Sequence, residues 1–241
     1  MTALKLVVCP HDTVKHPDTW YRMDQYLNQH MDVPIHFELA MDFSDFHEQI
    51  EKADIAFANP SDFVHLLKDK RGFQALVRPN GHCDEAVFVG SADADDLSLE
   101  MINGAVLATV ESQVPTTIGL HELTDHGVKP ASIVNCDSWL SVIRAIWNGE
   151  APFGIVYKDA YDELSDQGKG MVKYIAESNQ QTAFHTFSVP ADAAYAEQLK
   201  NILLGMENDP AGQEILAALH LHRWKPVLDA DLEKLIQVVN K

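Results

Sequence analysis

The sequence predicts an α/β fold made of two βαβ lobes, the second inserted into the first. Two observations carry this. Short apolar or alternating runs recur along the chain, and amphipathic windows of helical period separate them. The order also changes once, after a pair of strand-like runs at 74–78 and 85–89, and a second βα series begins near 105. Composition agrees: 46% of the 241 residues are apolar and 22% charged, enough to bury a sizeable core despite a formal charge of −18.

The elements follow in order. Residues 4–9 (LKLVVC), ended by Pro10, read as a buried parallel strand. Residues 18–30 place Trp20, Met23 and Leu27 at helical spacing behind an acidic start at Asp18. Residues 34–39 alternate Ile35, Phe37 and Leu39 as a second strand. Ser44 is the expected cap of a helix whose Phe46 and Ile50 face inward. Residues 54–58 are a third strand, and Asn59-Pro60-Ser61-Asp62 turns into a helix bearing Phe63, Val64 and Leu66. In the second series, residues 105–110 form a strand. A helix over 115–126 is stopped by Gly127, with Pro130 beyond. A strand at 133–134, a helix over 138–147 and a strand at 153–157 complete it. Strands at 172–175 and 183–189 then lead into two C-terminal helices, 191–206 and 211–219.

Charge and pattern exclude several classes. A chain this acidic repels nucleic acid and anionic membrane surfaces. No apolar run is long enough to span a bilayer, so no membrane insertion is expected. Residues 1–10 carry one lysine and a short apolar stretch, which reads as a first strand and not as a secretory signal. The expectation is a cytoplasmic chain or a mature form. Cys9, Cys83 and Cys136 are too scattered for a CxxC zinc motif. No GxSxG, P-loop or GxGxxG pattern is present, and Asp93, Asp95 and Asp96 sit in a run expected to be a solvated turn. Cys9 with His11 is the one candidate catalytic pair. His220 and His222 fall after the expected terminal helix, and His121 and His126 are five apart, off a common helix face.

Three segments carry a family resemblance. DIAFANPSDFVHL (54–66) matches a D-[IV]-A-x-x-G-P-x-x-[YF]-V pattern, with Asn59 in place of the glycine. SVIRAIWNGEAPFGIVYKDAYDEL (141–164) matches an N-G-E…G-x-V-Y-x-D pattern, and LLGMENDPAGQEILAAL (203–219) matches a D-P-x-G terminal helix. In this order and spacing they resemble the phosphonate/phosphate-type solute-binding proteins of ABC transporters, the PhnD-like family. The resemblance implies a two-lobe type II periplasmic-binding-protein (Venus flytrap) fold with hinge strands. Lobe one would comprise 1–85 plus 180–241 and lobe two 86–179, with crossings near 83–88 and 177–186. It also implies capture of a small oxyanion such as a phosphonate, phosphate or phosphite in an interlobe cleft, without catalysis or cofactor. The implied partners are an anionic small molecule and an ABC permease or membrane sensor protein, in the periplasm.

Strand-end loops and helix N-termini are where such folds hold an oxyanion. Three loops qualify: 9–12, 59–62 and 111–117. The candidate ligand contacts are His11, Asn59, Ser61, Thr116, Thr117, Trp139 and Tyr157, with Cys9 and Cys83 beside them. Ser61 either caps its helix or donates to ligand, and Trp139 either walls the ligand or belongs to the core. In the third loop Val114 and Pro115 stand where the family carries hydroxyl residues. Two ligand classes therefore stay open, a phosph(on)ate-like oxyanion and something less charged. Lys158, where the family is often acidic, argues against an amino-bearing ligand. Cys9 and Cys83 read either as small buried hydrophobes or, with His11 or His82, as a soft-ligand site. The alternative function is accordingly a sensor-type or cytoplasmic member of the fold that binds a thiophilic (arsenite-like), metal or uncharged ligand and signals to a protein partner.

Overall fold

A computed structural model describes residues 2–240. The chain divides into two compact units. One holds the chain up to Cys83 with Phe184–Ile236; the other holds Asp84–Ala183 and the residues from Gln237 onward.

Unit one opens with β1 (Leu4–Val8), the short α1 (Pro10–Thr13), α2 (Pro17–His30), β2 (Ile35–Glu38), α3 (Phe43–Ile50) and β3 (Ile55–Ala58). A broken helix follows: α4 (Pro60–Asp62), a π-helical stretch Phe63–Lys68 and α5 (Asp69–Arg71), then β4 (Phe73–Pro79). The cap of α3 differs from expectation. Asp42, not Ser44, accepts the Asp45 N–H, because Asp42 is the residue left in extended backbone and Ser44 is already helical.

Unit two contains β5 (Ala86–Ser91), a 3₁₀ turn (Leu99–Ile102), β6 (Val106–Thr109), α6 (Val114–Asp125), β7 (Ser132–Asn135), α7 (Trp139–Trp147) and β8 (Phe153–Tyr157). Short helices α8 (Lys158–Asp162) and α9 (Asp166–Lys169) precede β9 (Val172–Glu177). Gly127, at φ +70°, ends α6 as expected. The chain returns to unit one through β10 (Thr186–Pro190), α10 (Ala196–Gly205) and α11 (Pro210–Ala218). It closes with two elements beyond the expected terminal helix, β11 (Trp224–Pro226) and α12 (Asp229–Val239). No helix of the described residues is long and apolar enough to cross a membrane.

Both sheets are mixed, which gives the α/β class but not two all-parallel lobes. The first has strand order β11-β4-β10-β3-β1-β2, with β1 parallel to β2 and β3, and β10 antiparallel to β3 and β4. The second runs β7-β6-β8-β5-β9, with β6 parallel to its neighbours and β5 antiparallel to β8 and β9. The strands that enter and leave each unit supply the antiparallel pairs.

Aromatic packing sets the first core. Phe57 sits 5.2 Å from Trp20, 4.9 Å from Phe187 and 5.6 Å from Trp224, all fully or nearly buried. The second core is aliphatic, with Val87, Val89, Val142, Ile146 and Val156. Its tightest point explains one motif glycine: a Cβ at Gly154 would stand 2.8 Å from Ile146 and 2.9 Å from Val142, so α7 lies directly on β8 there. The D-P-x-G pattern has a similar cause. Asp209 caps α11 by accepting the Gly212 N–H, and a Cβ at Gly212 would stand 2.6 Å from the Met206 carbonyl oxygen.

Candidate functional site

In unit one the loop after β1 gathers most of the chemistry. Cys9 ends the strand's burial run at zero exposure, and its carbonyl accepts the N–H groups of Asp12 and Thr13. Burial pushes the Cys9 thiol up, and the Asp12 carboxylate adds to it. His11 packs edge-on against Phe43 at 4.8 Å; burial lowers its affinity for a proton, with His185 nearby acting the same way. Asn59, at φ −63°, needs no glycine conformation and uses its side chain instead. It accepts the Asp62 N–H as the cap of α4, and its amide donates to Asp62 at 2.6 Å and to Cys9 Sγ at 3.6 Å. The cap is thus Asn59 and not Ser61. Ser61 lines an open pocket of about 640 Å³ with His47, Asp62, His65, Lys70 and Arg71.

The proposed cysteine pair is not what the structure assembles. Cys9 meets Asp12 and His185, whose Nδ1 lies 2.9 Å from Asp12 Oδ2. Cys83 instead receives an Arg78 N–H at 3.7 Å, while the same guanidinium pairs with Asp231 at 3.2 Å and stacks over Phe184. His11 and His82 stand outside the group that Cys9 joins. No disulfide joins Cys9, Cys83 and Cys136.

In unit two the loop before α6 divides its two threonines. Thr117 is half-buried in the first turn of α6. Thr116 is enclosed at 1% exposure, with its hydroxyl 2.7 Å from the Val110 carbonyl and 2.6 Å from Thr109 Oγ1. That hydroxyl bolts the helix to β6 from inside the unit, whereas a threonine at the helix start is expected from the sequence to face a ligand. Trp139 is half-buried, packs on the unit's core and lies 6.3 Å from the ring of Tyr157. The Tyr157 hydroxyl sits between two carboxylates, 3.2 Å from Asp84 and 3.0 Å from Asp159. Lys158 is tied to Glu177 at 2.6 Å and to Asp162 at 3.3 Å. Its charge is matched locally and says nothing against an amino group on the ligand.

The model of the family described as "ABC transporter, phosphonate, periplasmic substrate-binding protein" matches residues 7–232. The chain belongs to this family. It is a solute-binding protein of the ABC-transporter kind. No functionally curated protein matches it significantly.

The fold of this solute-binding protein is similar to several solved structures. PhnD1 from Prochlorococcus marinus, solved with methylphosphonate, superposes with a TM-score of 0.76 at 12% identity over 99% of this chain and 97% of that one. XAC2383 from Xanthomonas citri, solved with ATP, gives 0.73 at 15% over 100% and 96%. The aliphatic sulphonate binding protein SsuA from Escherichia coli gives 0.71 at 13% over 99% and 85%. At these identities the likeness is one of fold: a two-lobe type II periplasmic binding protein.

Sequence reasoning missed His185, Asp12, Asp84 and Asp159. His185 is 173 residues from its carboxylate partner, a separation no local pattern spans. Asp12 and Asp159 lay inside segments already singled out, and only their contacts were hidden.

Proposed function

We propose that the protein captures a small tetrahedral oxyanion of the phosphonate or phosphate class and hands it to an ABC permease, in the periplasm and without catalysing a reaction. The observation that carries this is the family match across residues 7–232. The first turn of α7 offers N–H groups and partial positive charge suited to such an ion, whereas in α6 Pro115 has no N–H and those of Thr116 and Thr117 go to the Gln113 carbonyl. The contacts assigned are His11, Asn59, Ser61, Thr117, Trp139 and Tyr157, with Thr116 supporting its loop from within. PhnD1 was solved with methylphosphonate, and SsuA is named for aliphatic sulphonates, so both head groups belong in the test.

Titration calorimetry and thermal melting of the solute-free, reduced protein test it with methylphosphonate, phosphate, phosphite, sulfate, an alkylsulfonate and small carboxylates. One phosph(on)ate at 100 times its Kd should stabilise the fold by about 2.7 kcal/mol and raise Tm by several degrees. A response only to carboxylates or sulfonates would overturn the ligand class while leaving the family intact. A second reading is favoured by Asp84 and Asp159 flanking the Tyr157 hydroxyl: the oxyanion carries an amine. An aminoalkylphosphonate binding at least tenfold tighter than methylphosphonate supports it, and equal affinities remove it.

A further inference from the structure

Cys9 Sγ, a carboxylate oxygen of Asp12 and an imidazole nitrogen of His185 lie within 4.8 Å of one another in unit one. Cys9 is fully enclosed and His185 is 8% exposed, whereas Asp12 reaches solvent. Phe57, itself buried, stands 5.6 Å from the imidazole, and the Asn59 amide donates to Sγ. We propose that these three side chains bind a borderline-soft divalent cation of the zinc type through thiolate sulfur, imidazole nitrogen and carboxylate oxygen, with a fourth position open. The site borders the solute contacts proposed above, because Asn59 is one of them and its amide donates to Cys9 Sγ.

The donor set selects the ion. Sulfur, nitrogen and oxygen together suit zinc and its neighbours, while magnesium and calcium take oxygen ligands in larger number. Distances agree with one small ion. Bond lengths of about 2.0–2.3 Å put a nitrogen and an oxygen ligand roughly 3.3 Å apart on a tetrahedral centre, and sulfur and nitrogen roughly 3.6 Å apart. Asp12 and His185 already stand at 2.9 Å, and the whole set closes from its 4.8 Å span by about an ångström. As Sγ coordinates, the thiol proton passes to water and the cation takes its place against the Asp12 carboxylate. The Asn59 N–H then faces a thiolate, which it suits better than a thiol.

A nucleophilic Cys-His-Asp triad would use the same atoms. Cys9 has no exposed surface, however, so the carbonyl or phosphoryl centre of a substrate has no approach to its sulfur. A single small ion can enter from the solvent-reaching Asp12 side, so the metal site is the assignment that fits the geometry.

Cobalt is the probe. Metal-free, reduced protein titrated with Co²⁺ should take up one equivalent with a thiolate-to-cobalt charge-transfer band and tetrahedral d–d absorption, both lost on adding Zn²⁺. Cys9→Ser should abolish the charge-transfer band. His185→Gln should weaken cobalt binding at least about 100-fold, since even outer-shell partners are worth about 10–100-fold. The double variant Cys83→Ser/Cys136→Ser should keep both band and affinity. Because Cys9 is enclosed, the solvent-reaching Asp12→Asn is the second variant. It should bind cobalt at least about tenfold more weakly with an unchanged circular dichroism spectrum. The site is overturned by a wild-type protein without the band at one equivalent. It is equally overturned by a band that survives Cys9→Ser or vanishes in the double variant, or by an Asp12→Asn protein of unaltered affinity.

Discussion

Thr116 shows how far a single side chain can differ from its residue type. A threonine at a helix start reads as a donor to ligand, yet here its hydroxyl joins Val110 and Thr109 inside the unit. Thr116→Val should therefore lower stability by about 1–1.5 kcal/mol, the net worth of one buried hydrogen bond, in urea unfolding. Solute affinity should change less than threefold. A tenfold loss of affinity at unchanged stability would return the hydroxyl to the ligand. Tyr195 gives a pH prediction of definite sign. Its hydroxyl donates to the Asp54 carbonyl, and burial, followed by the Asp54 charge, pushes its pKa from 10.0 up to about 12. A raised folded-state pKa contributes stability that is complete below pH 10 and is lost as pH climbs from 10 through 12. Tyr195→Phe should flatten the fall in stability across that window, as read from denaturation midpoints. An equally steep fall in the variant would assign it to other groups, Tyr26 first among them, which burial also pushes up to about 12.

At the scale of elements, local patterning carried most of the information. The strand expected over 153–157 is β8, residue for residue, and the helix over 18–30 begins one residue early at Pro17, which fits a helix's first position. Amphipathic period and turn residues determine such segments because their causes lie within a few residues. Caps are also local, but two candidates within three residues are not separable from sequence. Asp42 and Ser44 are both good cap types, and only the extended backbone at Asp42 selects it. Asp42→Ala should cost about 1 kcal/mol, whereas Ser44→Ala, at an exposed helical position, should lie within about ±0.5 kcal/mol. Equal losses in thermal denaturation would contradict that assignment. The last elements, β11 and α12, escaped because their signals are weak alone. Trp224 is a strand residue by virtue of packing on Phe57 and Phe187.

For the molecule as a whole, a formal charge of −18 opposes the approach of any oxyanion. At physiological salt the Debye length is about 8 Å, so long-range repulsion is largely screened while N–H groups at the site act at contact. Association of phosphate or methylphosphonate should thus speed up several-fold from 10 to 150 mM salt, with little change in dissociation, by stopped-flow fluorescence. A rate falling with salt would mean that a local basic field steers the ligand instead. The sequence by itself determined the α/β class, most helices and strands, and the family, because each rests on local periodicity or on short motifs with their own geometric cause, such as Asp209 capping Gly212 and Gly154 lying under α7. Only the tertiary structure decided which polar groups meet. Folding brings His185 to Asp12 across 173 residues, Tyr157 to Asp84 across 73 and Asn59 to Cys9 across 50. Sheet order sets those meetings, and sheet order follows from how whole strands bury their faces together, which no single stretch of sequence contains.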